Sequence, residues 1–142
     1  MVDITSKKEV YREATASGKI ILRKETIERI KEDKVEKGNV FNVATVAAIL
    51  AVKRTWNLIP LCHPIPITSV KVDFNVSSNS IEVIVNVKTT AKTGVEMEAL
   101  VGVSTALLTI WDMAKKYEKD EKGQYPYTKI VDIKVESKIK RE

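Results

Sequence analysis

Residue types that could carry acid–base chemistry meet at Asp112 and Lys115 in the second half of the chain. On a helix, side chains three and four positions apart are neighbours, so Lys115 and Lys116 are expected beside the Asp112 carboxylate. One interpretation is a surface ion pair, which contributes little to stability. The other is an acid–base pair, in which each charge sets the pKa and orientation of the other. Spacing alone leaves both interpretations open.

His63 is the only histidine, and it follows Cys62 in a segment bounded by Pro60 and Pro64. A rigid backbone suits an imidazole that binds a ligand or transfers a proton, although a structural role is the commoner one for a lone loop histidine. Zinc is not expected, because no second Cys or His provides the usual ligand spacing. The single cysteine excludes an internal disulfide and agrees with a reducing compartment, and nothing nearby marks it as an activated nucleophile.

Two lysine–glycine segments precede predicted helices and are plausible anion sites. Lys92-Thr93-Gly94 stands before Glu96 and Glu98, and Lys37-Gly38 stands before the second helix. A cation beside the free N–H groups of a helix start suits a phosphate, while the helix dipole alone accounts for one of the glutamates. The sequence contains no Walker lysine motif and no GxGxxG, so a conventional nucleotide triphosphatase or dinucleotide fold is not indicated.

The elements that must position these residues follow from apolar periodicity and from Gly and Pro breaks. Their order is strand, helix, helix, strand, strand, helix, strand, which predicts an α+β, ferredoxin-like sandwich with an antiparallel sheet packed against helices. A length of 142 residues suits a single domain, 1–142. The first ten residues are polar and are expected to lie loosely on the surface. The predicted strands are 11–23, 70–76, 81–87 and 130–135, the helices are 26–34, 40–56 and 95–119, and 58–66 is an extended loop.

The long helix is apolar on more than the side that suits the sheet. At about 100° per residue, its opposite side carries small and apolar residues instead of charges, which indicates a subunit interface. Alternatively, a loop of the same chain covers this side of the helix. Glu98 and Asp112 share this side about 21 Å apart along the axis, so they bind opposite ends of a long ligand or join sites that another subunit completes. The residues concerned are Val101, Gly102, Thr105, Leu108 and Thr109.

The bulk composition favours a cytoplasmic protein. Charged residues make up 30% of the chain and the net charge is +5, with most lysines alternating with acids as on a solvated surface. The longest uncharged run, Ala99 to Trp111, falls short of the roughly 20 apolar residues of a membrane helix. No apolar signal region is seen at the start.

Four segments resemble one known family. They read KGNVF at 37–41, KRTWNLIPLCHP at 53–64, KTGVEMEAL at 92–100 and LTIWDMAK at 108–115. The family's counterparts are KGDVF, KRTWxLIPLCHP, KTGVEMEAL and LTIYDMCK, and the opening MVDI is similar to its MVDVS. The chain therefore resembles the cyclic pyranopterin monophosphate synthases, the MoaC family of molybdenum cofactor (molybdopterin) biosynthesis, over nearly its whole length.

The resemblance implies a lyase that acts on a GTP derivative. In this reaction 3',8-cyclised dihydro-GTP, made by a radical SAM enzyme, is rearranged to cyclic pyranopterin monophosphate while pyrophosphate leaves. The resemblance also implies a homo-oligomer, a hexamer built as a trimer of dimers, with sites between subunits. It implies no metal and no organic cofactor.

Family roles carry over to individual residues. Asp112 is expected to be the catalytic acid–base residue, and Lys115 its essential partner. Ring opening and closure need proton carriers, and a departing pyrophosphate needs cations. The chain departs from the family pattern at Asn39, which replaces Asp, and in the tail 134–142, which lacks a Gly-Gly-Lys-Ser-Gly stretch. The expected substrate-binding residues are Leu61, Cys62, His63, Met97, Glu98 and Lys37, with Glu96, Lys53 and Arg23 as weaker transfers.

Two other function classes stay open at this point. An RNA-binding module is compatible with a basic ferredoxin-like sheet, but Phe74 is the only Phe or Trp in the predicted hairpin, and stacking of bases needs more aromatics. No nucleic-acid partner is therefore expected. A catalytically inactive homologue that serves other cofactor enzymes as a scaffold is the second alternative, which intact Asp112, Lys115 and His63 disfavour.

Overall fold

The computed structural model describes residues 1–142 as a four-stranded antiparallel sheet with its helices packed on one face. The strand order is β2-β3-β1-β4. Together with the chain order, this arrangement is ferredoxin-like and confirms the predicted α+β sandwich. The elements are β1 (Val10–Ile21), α1 (Lys24–Lys31), α2 (Val40–Lys53), α3 (Thr55–Leu58), β2 (Ile67–Val76), β3 (Ser80–Ala91), α4 (Glu96–Glu118) and β4 (Lys129–Arg141).

The core lies between the helices and the two central strands. Val83, Val85 and Val87 of β3 are fully buried, and the residues between them point to the other face of the sheet. Because side chains alternate along a strand, this apolar set faces the helices as one surface. The hairpin predicted from the alternation in 70–76 and 81–87 is confirmed as β2 and β3, which pair from Ile67 to Val76.

Helix α4 packs across β1 and β3 and also against α2. Gly102 makes the second contact close, since a Cβ there would lie 2.8 Å from Val52 Cγ2 of α2 and 3.2 Å from Val85 Cγ1. The expectation that Gly102 faces another subunit is therefore wrong, because α2 of the same chain covers it. The uncovered side of α4 instead carries Met97 and Leu108, which are 39% and 60% exposed.

By length and composition alone, the 23 residues of α4 could cross a membrane. Half of its most apolar window is buried inside the fold. A helix that lies at the centre of a protein core passes the same test, since it is apolar on several sides. The packing of α4 on the sheet and on α2 accounts for its buried apolar residues.

Two boundaries differ from the predicted ones in a way that matters for the site. Helix α2 ends at Lys53, and a separate turn of helix, α3, leads into the extended loop that ends at Pro66. The first seven residues do not lie loosely on the surface, because their backbone is hydrogen-bonded to His63 and Lys92. Their polar side chains are exposed while their carbonyl groups make these contacts.

Candidate functional site

Asp112 lies near the C-terminal end of α4 between two ammonium groups. Lys115 Nζ is 3.2 Å from Asp112 Oδ1, and Lys37 Nζ is 3.0 Å from Oδ2. Lys37 also donates to the Asp112 backbone carbonyl at 3.1 Å, although the two residues are 75 positions apart in the chain. The three side chains therefore form one group, which we call the Asp112 cluster.

The two lysines hold the pKa of the Asp112 carboxyl below its ordinary value of 3.8, chiefly by hydrogen bonds from Lys37 and then from Lys115. Asp112 is consequently a carboxylate at neutral pH. Its side chain is 58% exposed, so the ion pairs add little to stability. Exposure leaves the carboxylate accessible to a ligand, and its fixed charge and geometry suit proton transfer.

The groove around the Asp112 cluster is strongly basic. Helical spacing predicted Lys116 beside Asp112. Lys116 instead forms an ion pair with the Glu36 carboxylate. Clustered cations in a concave surface attract polyanions such as phosphates. The groove is lined by Glu36, Lys37, Asp112, Met113, Lys115, Lys116, Tyr117 and Lys119.

A second cavity, of about 550 Å³, lies at the opposite end of α4. Its volume is that of a typical small-molecule site. The loop after α3 and the first turn of α4 form two walls, and the N-terminal residues form a third. We call it the His63 cavity; it is lined by Met1, Val2, Ile4, Lys7, Leu61, Cys62, His63, Ile65, Thr93, Gly94, Glu96, Met97 and Glu98.

Burial changes the acid–base character of this cavity. Glu98 is only 4% exposed, and desolvation raises the pKa of its carboxyl, with a smaller contribution from the charge of Glu96. Burial and the neighbouring Glu98 also raise the pKa of the Cys62 thiol. Cys62 is therefore not an activated nucleophile, since activation needs a lowered pKa. Glu98, in contrast, is suited to hold a proton and donate it.

The two groups cannot serve one small ligand within a single chain. Helix α4 is continuous from Glu96 to Glu118, and the rise from Glu98 to Asp112 is about 21 Å. No group of three or more His, Cys, Asp or Glu side chains is placed to hold a metal ion. The carboxylates, the imidazole and the lysines of the two groups offer proton transfer and the binding of anions.

The sequence matches the model of the MoaC family over residues 1–140. This chain belongs to the MoaC family. It is 60% identical over 142 residues to a probable cyclic pyranopterin monophosphate synthase of Pyrococcus furiosus, covering 100% of this chain and 91% of the relative. A protein of the same name from Aeropyrum pernix is 61% identical over 140 residues, 99% of this chain and 96% of the relative. A relative from Methanothermobacter thermautotrophicus is named a probable cyclic pyranopterin monophosphate synthase accessory protein. It is 58% identical over 142 residues, which cover 100% of this chain and 89% of the relative.

Most residues that the MoaC resemblance singled out fall into the two groups. Lys37, Asp112 and Lys115 form the Asp112 cluster. The predicted residues in the His63 cavity are Leu61, Cys62, His63, Glu96, Met97 and Glu98. Their roles in binding or catalysis stay predictions.

Two residues whose expected binding role rested on a weaker family match, Lys53 and Arg23, lie apart from both groups. Lys53 is exposed at the end of α2 and lines neither cavity. Arg23 lines a separate groove with Lys24 and Tyr127, and its backbone N–H donates to the buried carboxylate of Glu118. Within one chain, neither residue lines the cavity or the groove that holds the other predicted site residues.

Sequence reasoning missed the third wall of the His63 cavity. Val2 and Ile4 line it, although the polar composition of the first ten residues predicted no fixed position. The similarity of the opening MVDI to the family's MVDVS was the one available signal. Helical spacing gave no indication of the Glu36–Lys116 pair, because Glu36 comes from the loop before α2.

Proposed function

We propose that this MoaC-family protein is a lyase that converts 3',8-cyclised dihydro-GTP to cyclic pyranopterin monophosphate and pyrophosphate. The observation that carries this proposal is the Asp112 carboxylate held between Lys37 and Lys115 in a chain so similar to proteins named as synthases. The reaction is redox-neutral: rings open and reclose by proton transfers, a substrate hydroxyl oxygen bonds to phosphorus, and the bond to pyrophosphate breaks. Proton carriers and cations are sufficient for such steps.

Opposite pKa shifts support separate acid and base roles. Burial raises the pKa of the Glu98 carboxyl, whereas ammonium hydrogen bonds lower the pKa of the Asp112 carboxyl. Carboxyl groups whose pKa values are pushed apart commonly divide acid and base chemistry between them. We assign proton donation to Glu98 and proton acceptance to Asp112, with Lys115 fixing the Asp112 charge. Lys37 and Lys116 then stabilise the departing pyrophosphate.

A second copy of the chain would join the two groups. Met97, Leu108 and Asp112 are exposed on one side of α4, and Thr105 lies half-way between Glu98 and Asp112 along the helix. A two-fold axis passing near Thr105 would bring the His63 cavity of each copy to the Asp112 cluster of the other, giving two equivalent sites. Exposed apolar residues on the neighbouring helix α2, Val43, Val46 and Leu50, support an interface here.

We further propose that such dimers assemble as a trimer of dimers and that the enzyme works in the cytoplasm. The support for the hexamer is the family resemblance, and for the dimer it is the uncovered side of α4. In this arrangement, Arg23 and Lys53 are free to contribute from a neighbouring subunit, since neither reaches the site within its own chain.

Turnover of cyclised dihydro-GTP, generated in situ, tests the proposal, with the product read after oxidation to its fluorescent form. Asp112→Asn and Lys115→Ala are each expected to lower turnover at least about 100-fold while preserving assembly, since proton transfer contributes about 10²–10⁴. Lys122→Ala is the control, because it removes an exposed lysine outside both groups.

Unchanged turnover in either variant removes that residue from the catalytic set. No product from a well-folded, assembled wild-type chain would overturn the enzymatic proposal. It would favour instead an accessory role, which is what the name of the Methanothermobacter relative states for that protein.

A further inference from the structure

Residues 1–7, which we call the N-terminal strap, line one side of the His63 cavity through Met1, Val2, Ile4 and Lys7. The Thr5 carbonyl accepts a hydrogen bond from Lys92 Nζ at 3.1 Å. Asp3 Oδ1 accepts one from the Thr5 N–H at 2.8 Å, and the Lys7 N–H donates to the Ile4 carbonyl at 3.1 Å. The contact with Lys92 holds the strap through a backbone carbonyl, the other two bonds lie within the strap, and Val2 is 75% exposed.

One strap contact determines how His63 can act. His63 Nε2 lies 2.7 Å from the Val2 carbonyl oxygen, and this is the hydrogen bond that the ring makes within the chain. A carbonyl oxygen only accepts hydrogen bonds, so Nε2 must carry the proton. In neutral imidazole the other nitrogen is then an unprotonated acceptor. Whenever the ring is neutral, the contact thus leaves Nδ1 with a free lone pair.

We propose that the Val2 carbonyl is a positioning group of the substrate site, which fixes neutral His63 as the Nε2–H tautomer and leaves Nδ1 to accept a substrate proton. The inference rests on the proposed function, in which the His63 cavity binds the cyclised dihydro-GTP. It adds to that function a role for residues outside the predicted site. In many functional histidines, a backbone carbonyl bound to one ring nitrogen sets the tautomer and so determines whether the second nitrogen carries a proton. The Val2 carbonyl has this relation to His63.

The direct test uses the fact that His63 is the only histidine. In protein labelled with 15N-histidine, every imidazole nitrogen signal belongs to His63, so its tautomer can be read without assignment. At alkaline pH, where imidazole is neutral, we expect a single Nε2–H tautomer in the full chain. A dominant Nδ1–H form, or the mixture of tautomers found for an unconstrained imidazole, would overturn the proposal.

Deletion of residues 1–4 removes the carbonyl, and Val2→Ala is the matched control because it removes the side chain while keeping the carbonyl. The deletion is expected to leave the fold intact, since the strap precedes β1 and adds no residue to the core. Circular dichroism checks this point. We expect both tautomers in the deletion variant and only Nε2–H in Val2→Ala. The same spectrum for the deletion variant and the full chain would show that the strap does not set the tautomer.

Kinetic constants then distinguish a positioning role of the Val2 carbonyl from a role of the Val2 side chain in lining the cavity. The deletion is expected to lower kcat at least about tenfold, because small misplacements of a reacting group can cost up to about 100-fold. Val2→Ala, which changes only a cavity wall, is expected to alter KM more than kcat. If kcat is unchanged by the deletion while the tautomer changes, His63 is not a proton acceptor and the proposal fails. If the wild type shows no turnover but the spectra are as expected, the proposed function fails while the Val2–His63 geometry stands.

Discussion

Replacing Glu118 with alanine is expected to lower the free energy of unfolding by about 3 kcal/mol. This carboxylate is fully buried at the end of α4 and joins three parts of the chain. The Arg23 N–H donates to both of its oxygens at 3.2 Å, the Thr128 hydroxyl donates to Oε1 at 2.7 Å, and the Thr26 hydroxyl donates to Oε2. Alanine leaves all three donors without this partner.

The magnitude follows from the count of donors. An unsatisfied buried donor costs about 1–3 kcal/mol, and we take the lower end because water can enter the space and because a buried charge is removed at the same time. Glu118→Gln is expected to cost only about 1 kcal/mol. Its amide oxygen can accept from Arg23 N–H and one hydroxyl, while its NH₂ can donate to the other hydroxyl.

Urea unfolding followed by circular dichroism measures both variants, at one fixed protein concentration because association shifts apparent stability. Glu121→Gln, at an exposed position just beyond α4, is the control and is expected to change stability by less than about 0.5 kcal/mol. A loss below about 1 kcal/mol for Glu118→Ala, or an equal loss for the Gln and Ala variants, would refute this account of the hydrogen bonds.

Two further predictions concern Glu98 and Thr105. Because burial raises the pKa of Glu98 above its ordinary value of 4.5, the folded chain keeps a proton on this group that the unfolded chain releases, so the contribution of Glu98 to stability falls as pH rises above 4.5. Glu98→Gln should remove this contribution, so the melting temperature of the variant relative to the wild type should rise from acidic to neutral pH; a difference between the two that does not change with pH would contradict the prediction. Thr105→Glu places like charges across the proposed two-fold axis and should weaken the dimer. A repulsion of about 1.4 kcal/mol or more would raise the Kd of the dimer at least about tenfold. Sedimentation that shows an unaltered assembly would count against the interface.

The strands that could be predicted from sequence are those whose two faces differ in polarity. Val70, Val72 and Phe74 alternate with polar residues, and this pattern marked β2 correctly. Strand β4 was predicted to end at 135 but continues to Arg141. Its second half is mostly charged and lies at an edge of the sheet, where charges discourage pairing with another chain. Such a segment lacks the alternating apolar residues from which a strand is predicted.

The site was predictable only in parts, because its decisive contacts are long-range. Helical spacing correctly placed Lys115 beside Asp112 but also placed Lys116 there, whereas Lys116 pairs with Glu36. The contact from Lys37 to Asp112 depends on how the loop before α2 meets α4, which periodicity does not determine. The Val2–His63 bond uses a backbone carbonyl, which every residue has, so no side-chain pattern could indicate it.

The separation of Glu98 and Asp112 along one continuous helix has a consequence for mixtures of inactive variants. If each site takes Glu98 from one copy and Asp112 from the other, an inactive Glu98→Gln chain and an inactive Asp112→Asn chain would complement each other. A mixed dimer would hold both lesions in one site and none in the other, so random pairing would restore about a quarter of all sites. Two inactive preparations, unfolded and refolded together, would then recover activity that neither shows alone.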